Sequence, residues 1–493
     1  MPVIVVTDSS ARLPASLADR YSIVQVPLHL TAPDGTEYLE GVDDIPAHAI
    51  AQPGASTSGA NPQDLVEVYQ QAVEASDGDG VVAVHMSRRL SGTWAAARLA
   101  AAEIGETLRV VDSRTTGIAL GLTALAAAQA GEAGHDRDEV YETAIRGGTL
   151  VTPRGLVQAD LGIAGGLIMA MGPDLRAAAE IDATGKLVIP GAVDPHVHLQ
   201  MPAGAFTSSD NWTTGTIAAA CGGTTTVIDF VEPDGQELLP ALAARRAEAE
   251  GQAAVDFGLH MTLCDARPET LAQIPGVVAA GCPSFKTYLT YEGFKLGDAE
   301  FLLALSAVGA AGGITLVHAE NDAMIGFEKR RLLAAGLTAP RWHGAARPAA
   351  AEGEAVERAL ALAEVAGCPL YVVHVSTRRG AEAVARARSR GQDAWGETCP
   401  QYLLLTRDAY DLPGFEGAKF ICSPPLRDAD DNAALWDGLA AGELDAVGTD
   451  HCPFLYEGQK DLGRRAGGAA LPLPSFDRVP GGLPGIELRL AIL

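Results

Sequence analysis

No apolar run in this chain of 493 residues approaches the roughly 20 that a membrane-spanning helix needs, so no membrane span is expected. The start, MPVIVVTDSS, has no basic region ahead of its apolar stretch and turns polar at once. It reads as a buried strand, not a secretory signal. Cysteine is sparse: seven residues, none in a Cys-x-x-Cys pair and none before Cys221. An odd number confined to the later part of the chain is no disulfide framework and points to a reducing, cytoplasmic setting. Metal ligation is one use for such thiols, and inert burial is the plainer one. Basic residues are also few, 36 Lys and Arg against 62 Asp and Glu, for a net charge of −26. Phosphate binding needs clusters of positive side chains, so nucleic acid is excluded as a main partner, and the acidic balance reads as a solubility feature.

What is present is the composition of a globular protein, 47% hydrophobic and 20% charged, with length for two or three domains. The first 140 or so residues alternate strand-like runs (PVIVV, GVVAVHM, TLRVVD) with helical stretches (NPQDLVEVYQQAVEAS, GTWAAARLAAAEIG), each helix preceded by polar capping residues. That alternation predicts an open α/β domain with a mainly parallel sheet. From about Arg146 to Ile189 the texture changes to Gly-punctuated strands with short turns, which predicts a small β-layer. A longer α/β alternation follows. Counting the run into His196, it holds eight strand candidates and predicts a (β/α)8 barrel, with a doubly wound open sheet as the alternative from pattern alone.

Polar residues at the ends of these runs favour the barrel. In GAVDPHVHLQ, Asp194, His196 and His198 share one face of a strand, because side chains alternate with period two. Two neutral imidazoles there suit a divalent cation, with the carboxylate as a ligand or as support for one. Alone, a His-x-His is weak, since two strand histidines are as often ordinary polar residues. The pattern repeats, however: His318 closes GITLVHAEN, His374 closes PLYVVHVS, Asp450 closes LDAVGTDH, and Lys286 lies in PSFKTYLTY. Barrel enzymes place their chemistry at such C-terminal strand ends. A buried lysine is costly unless paired or neutralised. Carbamylation would neutralise Lys286 and make it an anionic bridge, while pairing with Asp450 or snorkelling to solvent is the other account.

The motifs DPHVH, SFKTYLTY, VHAEN, VVHVS, ETCPQYL, CSPPLR, GTDHCPF and PGGLPGIE stand in the order seen in dihydropyrimidinases and hydantoinases of the amidohydrolase superfamily, and the chain resembles that family from about residue 145 onward. The resemblance implies that His196 and His198 bind a first metal and that His318 and His374 bind a second. It implies that carboxylated Lys286 bridges the two, and that Asp450 both ligates the first metal and acts as general base. Zinc is the expected metal and manganese the alternative. Tyr291 matches a tyrosine that supports the oxyanion, and Ser423 a residue whose backbone holds the cyclic imide. Gly481 stands where the family often has Asn, a change that backbone recognition tolerates. The implied reaction opens a dihydropyrimidine or hydantoin ring to an N-carbamoyl amino acid, and the implied assembly is a homotetramer. Allantoinases and dihydroorotases share the ligand set and stay as alternatives within the class. The non-catalytic collapsin-response-mediator group is disfavoured because every ligand position is filled here.

The front carries a second resemblance. VTDSSARLP, TSGANPQDL, SRRLSGTWAAA and VVDSRTTGIALG look like the N-terminal domain of the DegV family of fatty-acid-binding proteins. Ser58, Ser91 and Thr93 offer hydroxyls before helix starts, where the helix dipole favours an anion such as a lipid carboxylate. The plain alternative makes them caps and turn residues. Gly59 and Ala60 depart from the Gln-Pro usual in that family. The sequence therefore predicts residues 1–144 as a partial DegV-like domain, 145–190 as part of a small β-sandwich, and 191–493 as an amidohydrolase barrel lacking its C-terminal end. Both resemblances stop mid-domain, so truncation or joined gene fragments are expected ahead of a natural fusion, with apolar strand edges left open. A fatty-acid-binding module joined to an inactive barrel is the competing functional reading.

Overall fold

The β-rich runs at the front form the expected parallel sheet. Val24–Val26, Ile4–Asp8, Val81–His85 and Leu108–Asp112 lie side by side in that order, all parallel. Residues 3–46, 49, 55–88, 90–105, 107–113, 116–132, 141–164, 166–462 and 474–493 are described by the computed structural model, in which Met1–Pro190 and Gly191–Leu493 form two compact units. In the first unit, helices Pro62–Ala75 and Thr93–Ile104 pack Leu65, Tyr69, Ala97 and Ala100 on one face of the sheet, against Val6, Val81 and Ala83. Helix Ile118–Glu132 covers the other face with Leu120, Ala124 and Ala128, over Val5, Val82 and Val84. Helix Pro62–Ala75 starts where Asn61 accepts from the Asp64 N–H and proline fills the first turn, whose N–H groups have no helical partner.

A closed chain of polar groups threads this core. Ser10 and the Met86 N–H donate to Asp8, whose carboxylate also meets His85 Nδ1 at 3.1 Å, and His85 Nε2 lies 2.7 Å from the Tyr69 hydroxyl. Asp8, His85 and Tyr69 are fully buried.

Two features of this unit differ from the sequence reading. Glu37–Leu39, His29–Thr31 and Ser56–Ser58 form a small antiparallel sheet, so Ser58 sits on an exposed strand and not in a loop. Strands of three residues are too short to show a period. The β-layer also begins at Tyr141, ahead of the expected 146, because Tyr141–Arg146 pairs with the distant Asp160–Ala164 and Ala177–Asp182. Gly147, at φ 70°, turns the chain from this strand into Thr149–Thr152, which forms a hairpin with Gly155–Gln158. Leu156, Leu167, Ile168, Ile181 and Leu187 of this layer are exposed.

The second unit is a barrel of eight parallel strands: β1 (Ala192–Val197), β2 (Thr224–Val231), β3 (Asp256–Thr262), β4 (Ser284–Tyr288), β5 (Ile314–His318), β6 (Leu370–Val372), β7 (Ala394–Thr398) and β8 (Ala446–Val447), each paired with the next. A bridge between Val197 and His451 joins β1 to the residues just past β8, so the ring all but closes and the open-sheet alternative falls. One contiguous core, from Val197 through Phe285 and Val372 to Ile486, holds strands to surrounding helices. Inward strand ends inevitably face one another in such a ring, which is what gathers residues far apart in sequence.

Candidate active site at the C-terminal end of the barrel

The strands β1, β4 and β5, with the segments after β4, β6, β7 and β8, bring the predicted barrel residues to one cavity of about 510 Å³. His196, His198, Lys286, Tyr291, His318, His374, Ser423, Asp450 and Gly481 all line it. His196 Nε2 and His198 Nε2 lie 3.2 Å apart, and Asp450 Oδ1 lies 3.2 Å and 3.3 Å from them. Two lone-pair nitrogens and a carboxylate oxygen converging on one point, within 4.8 Å of one another, fit a divalent cation. A second pair faces them: His318 Nδ1 is 2.9 Å from His374 Nε2, and the His374 and His196 ring centres are 5.4 Å apart. His374 Nδ1 is buried without a partner among the described residues, a polar atom the fold leaves unsatisfied.

Electrostatics agree with the geometry. Burial, then the positive charge of Lys286, holds the His196 imidazole well below its ordinary pKa; burial also depresses His318 and His374, with Lys286 contributing to both. Neutral imidazoles are the ligating form. Lys286 is 1% exposed, its ammonium 5.0 Å over the Phe230 ring and 5.2 Å over Tyr288, and burial lowers its pKa. Burial pushes the Asp450 carboxyl up, but His196, His198 and Lys286 outweigh it and hold the pKa below the usual carboxylate range. Burial raises the Tyr291 hydroxyl to about 12, so it stays a proton donor at neutral pH. Backbone strain gathers here as well: Tyr291, His374 and Asp450 adopt φ of 79°, 40° and 51°, a region that non-glycine residues seldom occupy.

Several groups at the site were not singled out by sequence. Glu397, at the end of β7, sits 2.8 Å from His196 Nδ1 and accepts from the Tyr371 hydroxyl and the His374 N–H, fixing which nitrogen His196 turns to the cavity. A Cβ on Gly448 would come within 2.6 Å of that carboxylate, so glycine is required for β8 to pass it. Glu320 does the same for His318, 2.8 Å from its Nε2, and also holds Arg347, whose guanidinium lies 5.3 Å from the Tyr291 ring centre. The signal for Glu397 was present: it closes an apolar run, as the histidines do. Asp194, read as a ligand or its support, accepts from the His196 N–H at 3.3 Å, from the Thr449 N–H at 3.0 Å and from Thr449 Oγ1 at 2.6 Å, and so anchors both His196 and the residue before Asp450.

In the first unit, Ser91 Oγ and Thr93 Oγ1 are 2.9 Å apart, and the Thr93 N–H donates to Ser91 Oγ at the start of its helix. A Cβ on Gly59 would lie 2.5 Å from Thr93 Oγ1, so the turn after Ser58 closes on these hydroxyls. An apolar cavity between Val84, Val111, Ala127 and Met169 measures only about 10 Å³.

Comparison with known proteins finds a different likeness at each end of the chain. Residues 2–146 match a family model described as "Uncharacterised protein, DegV family", and residues 185–380 match one described as "Dihydro-orotase-like". The chain is 45% identical over 360 residues to a D-hydantoinase of Streptomyces coelicolor, covering 71% of this chain and 75% of the relative. It is 42% identical to a D-hydantoinase of Geobacillus stearothermophilus, over 71% of this chain and 73% of the relative. A crystal structure of dihydropyrimidinase from Brevibacillus agri superposes with a TM-score of 0.67 at 42% identity, covering 71% of this chain and 75% of that one. An L-hydantoinase from Arthrobacter aurescens does so at 0.62 and 30%, covering 71% of this chain and 76% of that one. No described helix is long and apolar enough to cross a membrane.

Proposed function

The chain belongs to the family of D-hydantoinases and dihydropyrimidinases, and from that premise we propose that it opens the rings of hydantoins or dihydropyrimidines to N-carbamoyl amino acids. The observation that carries the reading is the convergence of His196, His198 and Asp450 opposite His318 and His374 in one cavity, with a buried lysine among them. His196, His198 and Asp450 would hold one divalent ion, zinc before manganese, and His318 and His374 a second. Bound there, the ions would act as Lewis acids on the ring carbonyl and render a water nucleophilic at neutral pH. Burial favours the neutral Lys286 amine, the form that would add carbon dioxide with loss of a proton to give the anionic carbamate such ions favour.

Asp450, ionised at neutral pH, takes the proton of the attacking water and returns it to the ring nitrogen as that bond breaks. Tyr291 keeps its proton and donates to the oxygen on which negative charge grows. Arg347, fixed by Glu320, steadies the tyrosine ring. The backbone at Ser423 and Gly481, both of which line the cavity, would grip the imide edge. Family likeness adds a homotetramer, cysteine usage suits a reducing cytoplasm, and Ser58, Ser91 and Thr93 are the contacts a fatty acid would use in the front unit. Metal analysis and ring opening of hydantoin and dihydrouracil test the core claim. The expected result is about two divalent ions per chain, with Lys286→Ala losing metal and activity together; a metal-free Lys286→Ala protein that still opens rings at full rate sinks it.

A further inference from the structure

One carboxylate in the reaction cavity has neither a task in this scheme nor a partner among the described residues, whereas Glu292 and Asp477, also at its wall, are held by Lys295 and Ser475. Glu232, just past the end of β2, is half-buried and lines the cavity with the histidines and Asp450. Among the described residues its carboxylate takes no hydrogen bond and no ion pair; His198, Asp229, Arg245 and Asp234 act on it only through space. Its acidic neighbour differs. Asp229 is fully engaged, by Arg245 at 2.6 Å and by the Leu199 and Phe230 N–H groups, each at 2.7 Å.

Glu232 also stands at a junction. With Met201, Pro202 and Phe294 it lines both the reaction cavity and a second cavity of about 750 Å³ that continues from it. Among the described residues that second space offers no cation without a partner. Its two arginines, Arg245 and Arg267, are held by Asp229 and by Asp265 respectively. A ring substituent directed to this side would meet the apolar Met201 and Phe294 and a carboxylate without a partner among the described residues, in a protein of net charge −26. Apolar walls suit a methylene chain, and a part-desolvated carboxylate is costly until a cation or strong donor reaches it.

We propose that Glu232 reads the ring substituent, so that this chain favours cyclic amides whose side chain ends in a protonated amine or guanidinium. The inference rests on the cyclic-amide reading above and adds the substrate class. It is tested on the metal-loaded full chain by comparing kcat/KM for a hydantoin bearing an aminobutyl group with that for its near-isostere bearing a pentyl group, with unsubstituted hydantoin and dihydrouracil as reference substrates. The expected preference for the amine is about tenfold, as for one charge-assisted hydrogen bond in a part-buried setting. Glu232→Gln brings the ratio near one, and Glu232→Leu turns it in favour of pentyl. A wild-type ratio at or below one, with the reference rings still opened, overturns the role of Glu232 and leaves the ring-opening activity standing. A ratio that survives in either variant overturns it as well. Failure to open any of the rings refutes the activity itself and this inference with it.

Discussion

Each unit buries a histidine against a carboxylate, and the two do opposite things with them. In the first unit the chain Ser10, Asp8, His85, Tyr69 closes on itself: both His85 nitrogens and both Asp8 oxygens have protein partners, and all three of Asp8, His85 and Tyr69 are fully buried. In the barrel, His196 and His318 each spend one nitrogen on a supporting carboxylate, Glu397 or Glu320, and turn the other toward a cavity of about 510 Å³. His374 leaves a ring nitrogen without a partner among the described residues. A histidine–carboxylate pair is thus no mark of chemistry by itself. The mark is polar valence left over and space to use it; where no valence is left, the network stabilises the fold.

Paired substitutions should break this comparison if it is wrong. Asp450→Asn removes the proposed base and is expected to lower kcat by about 10²–10⁴-fold, with little or no loss of Tm, since the aspartate sits in a site organised for reaction. Asp8→Ala strands the His85 ring, the Ser10 hydroxyl and the Met86 N–H in the core. It should cost on the order of 3 kcal/mol in denaturant unfolding while the rate per folded barrel is retained. Kinetics and unfolding on the two variants check both halves. An Asp450 variant that unfolds readily yet keeps its rate, or an Asp8 variant with a fully stable front unit, would erase the distinction.

Much of the barrel was legible because its signals are local. A polar residue that closes an apolar run shows itself in a few residues, and this found His196, His318, His374 and Asp450, together with Lys286 inside its run. Glu397 carried the same signal in AWGET, but its role depends on ring closure, which brings it to a histidine 201 positions away. Asp194 was legible as a strand residue facing inward; that Thr449 would engage both its oxygens was not, since that contact spans 255 positions. At the front, three of the four parallel strands and two helices followed from periodicity, whereas the three-residue strands Val24–Val26 and Ser56–Ser58 had too little sequence to show one. The family resemblance supplied roles for Tyr291, Ser423 and Gly481 that no local pattern carries.

Acid should separate the two units. Burial, reinforced by Arg347, holds the His343 imidazole down to about 3 against an ordinary 6.5, and its Nε2 lies 2.8 Å from the Cys422 carbonyl. Between those values the unfolded chain binds a proton that the folded barrel refuses, so this residue's contribution to stability is lost as pH falls through that window. Asp8 runs on a different range: its pKa is lowered below 3.8 because His85, Ser10 and Met86 outweigh burial, so its contribution is complete above 3.8 and disappears only as pH falls further. By pH 5 the wild-type barrel should have lost about 2 kcal/mol more than a His343→Gln variant has, relative to neutral pH. Chemical denaturation of both proteins at the two pH values measures it, and parallel losses would show that His343 titrates normally in the fold.

The smallest effect sharpens the comparison most directly, because it makes the same change in each unit. Asn61 caps helix Pro62–Ala75 by accepting from the Asp64 N–H at 2.9 Å. Asn211 caps helix Trp212–Cys221 by accepting from the Thr214 N–H at 2.8 Å, with Thr214 Oγ1 accepting in return from the Asn211 N–H. Replacing either with alanine orphans a first-turn donor, at about 1 kcal/mol. If the units unfold separately, each variant lowers one transition and leaves the other in place; Asn61→Ala moves the one that reports Trp94 in the first unit, and Asn211→Ala moves the one tied to metal release and activity. If the two units melt as one cooperative body, both variants shift a single transition by about the same amount. The closed polar network at the front would then bear on the working life of the open one in the barrel.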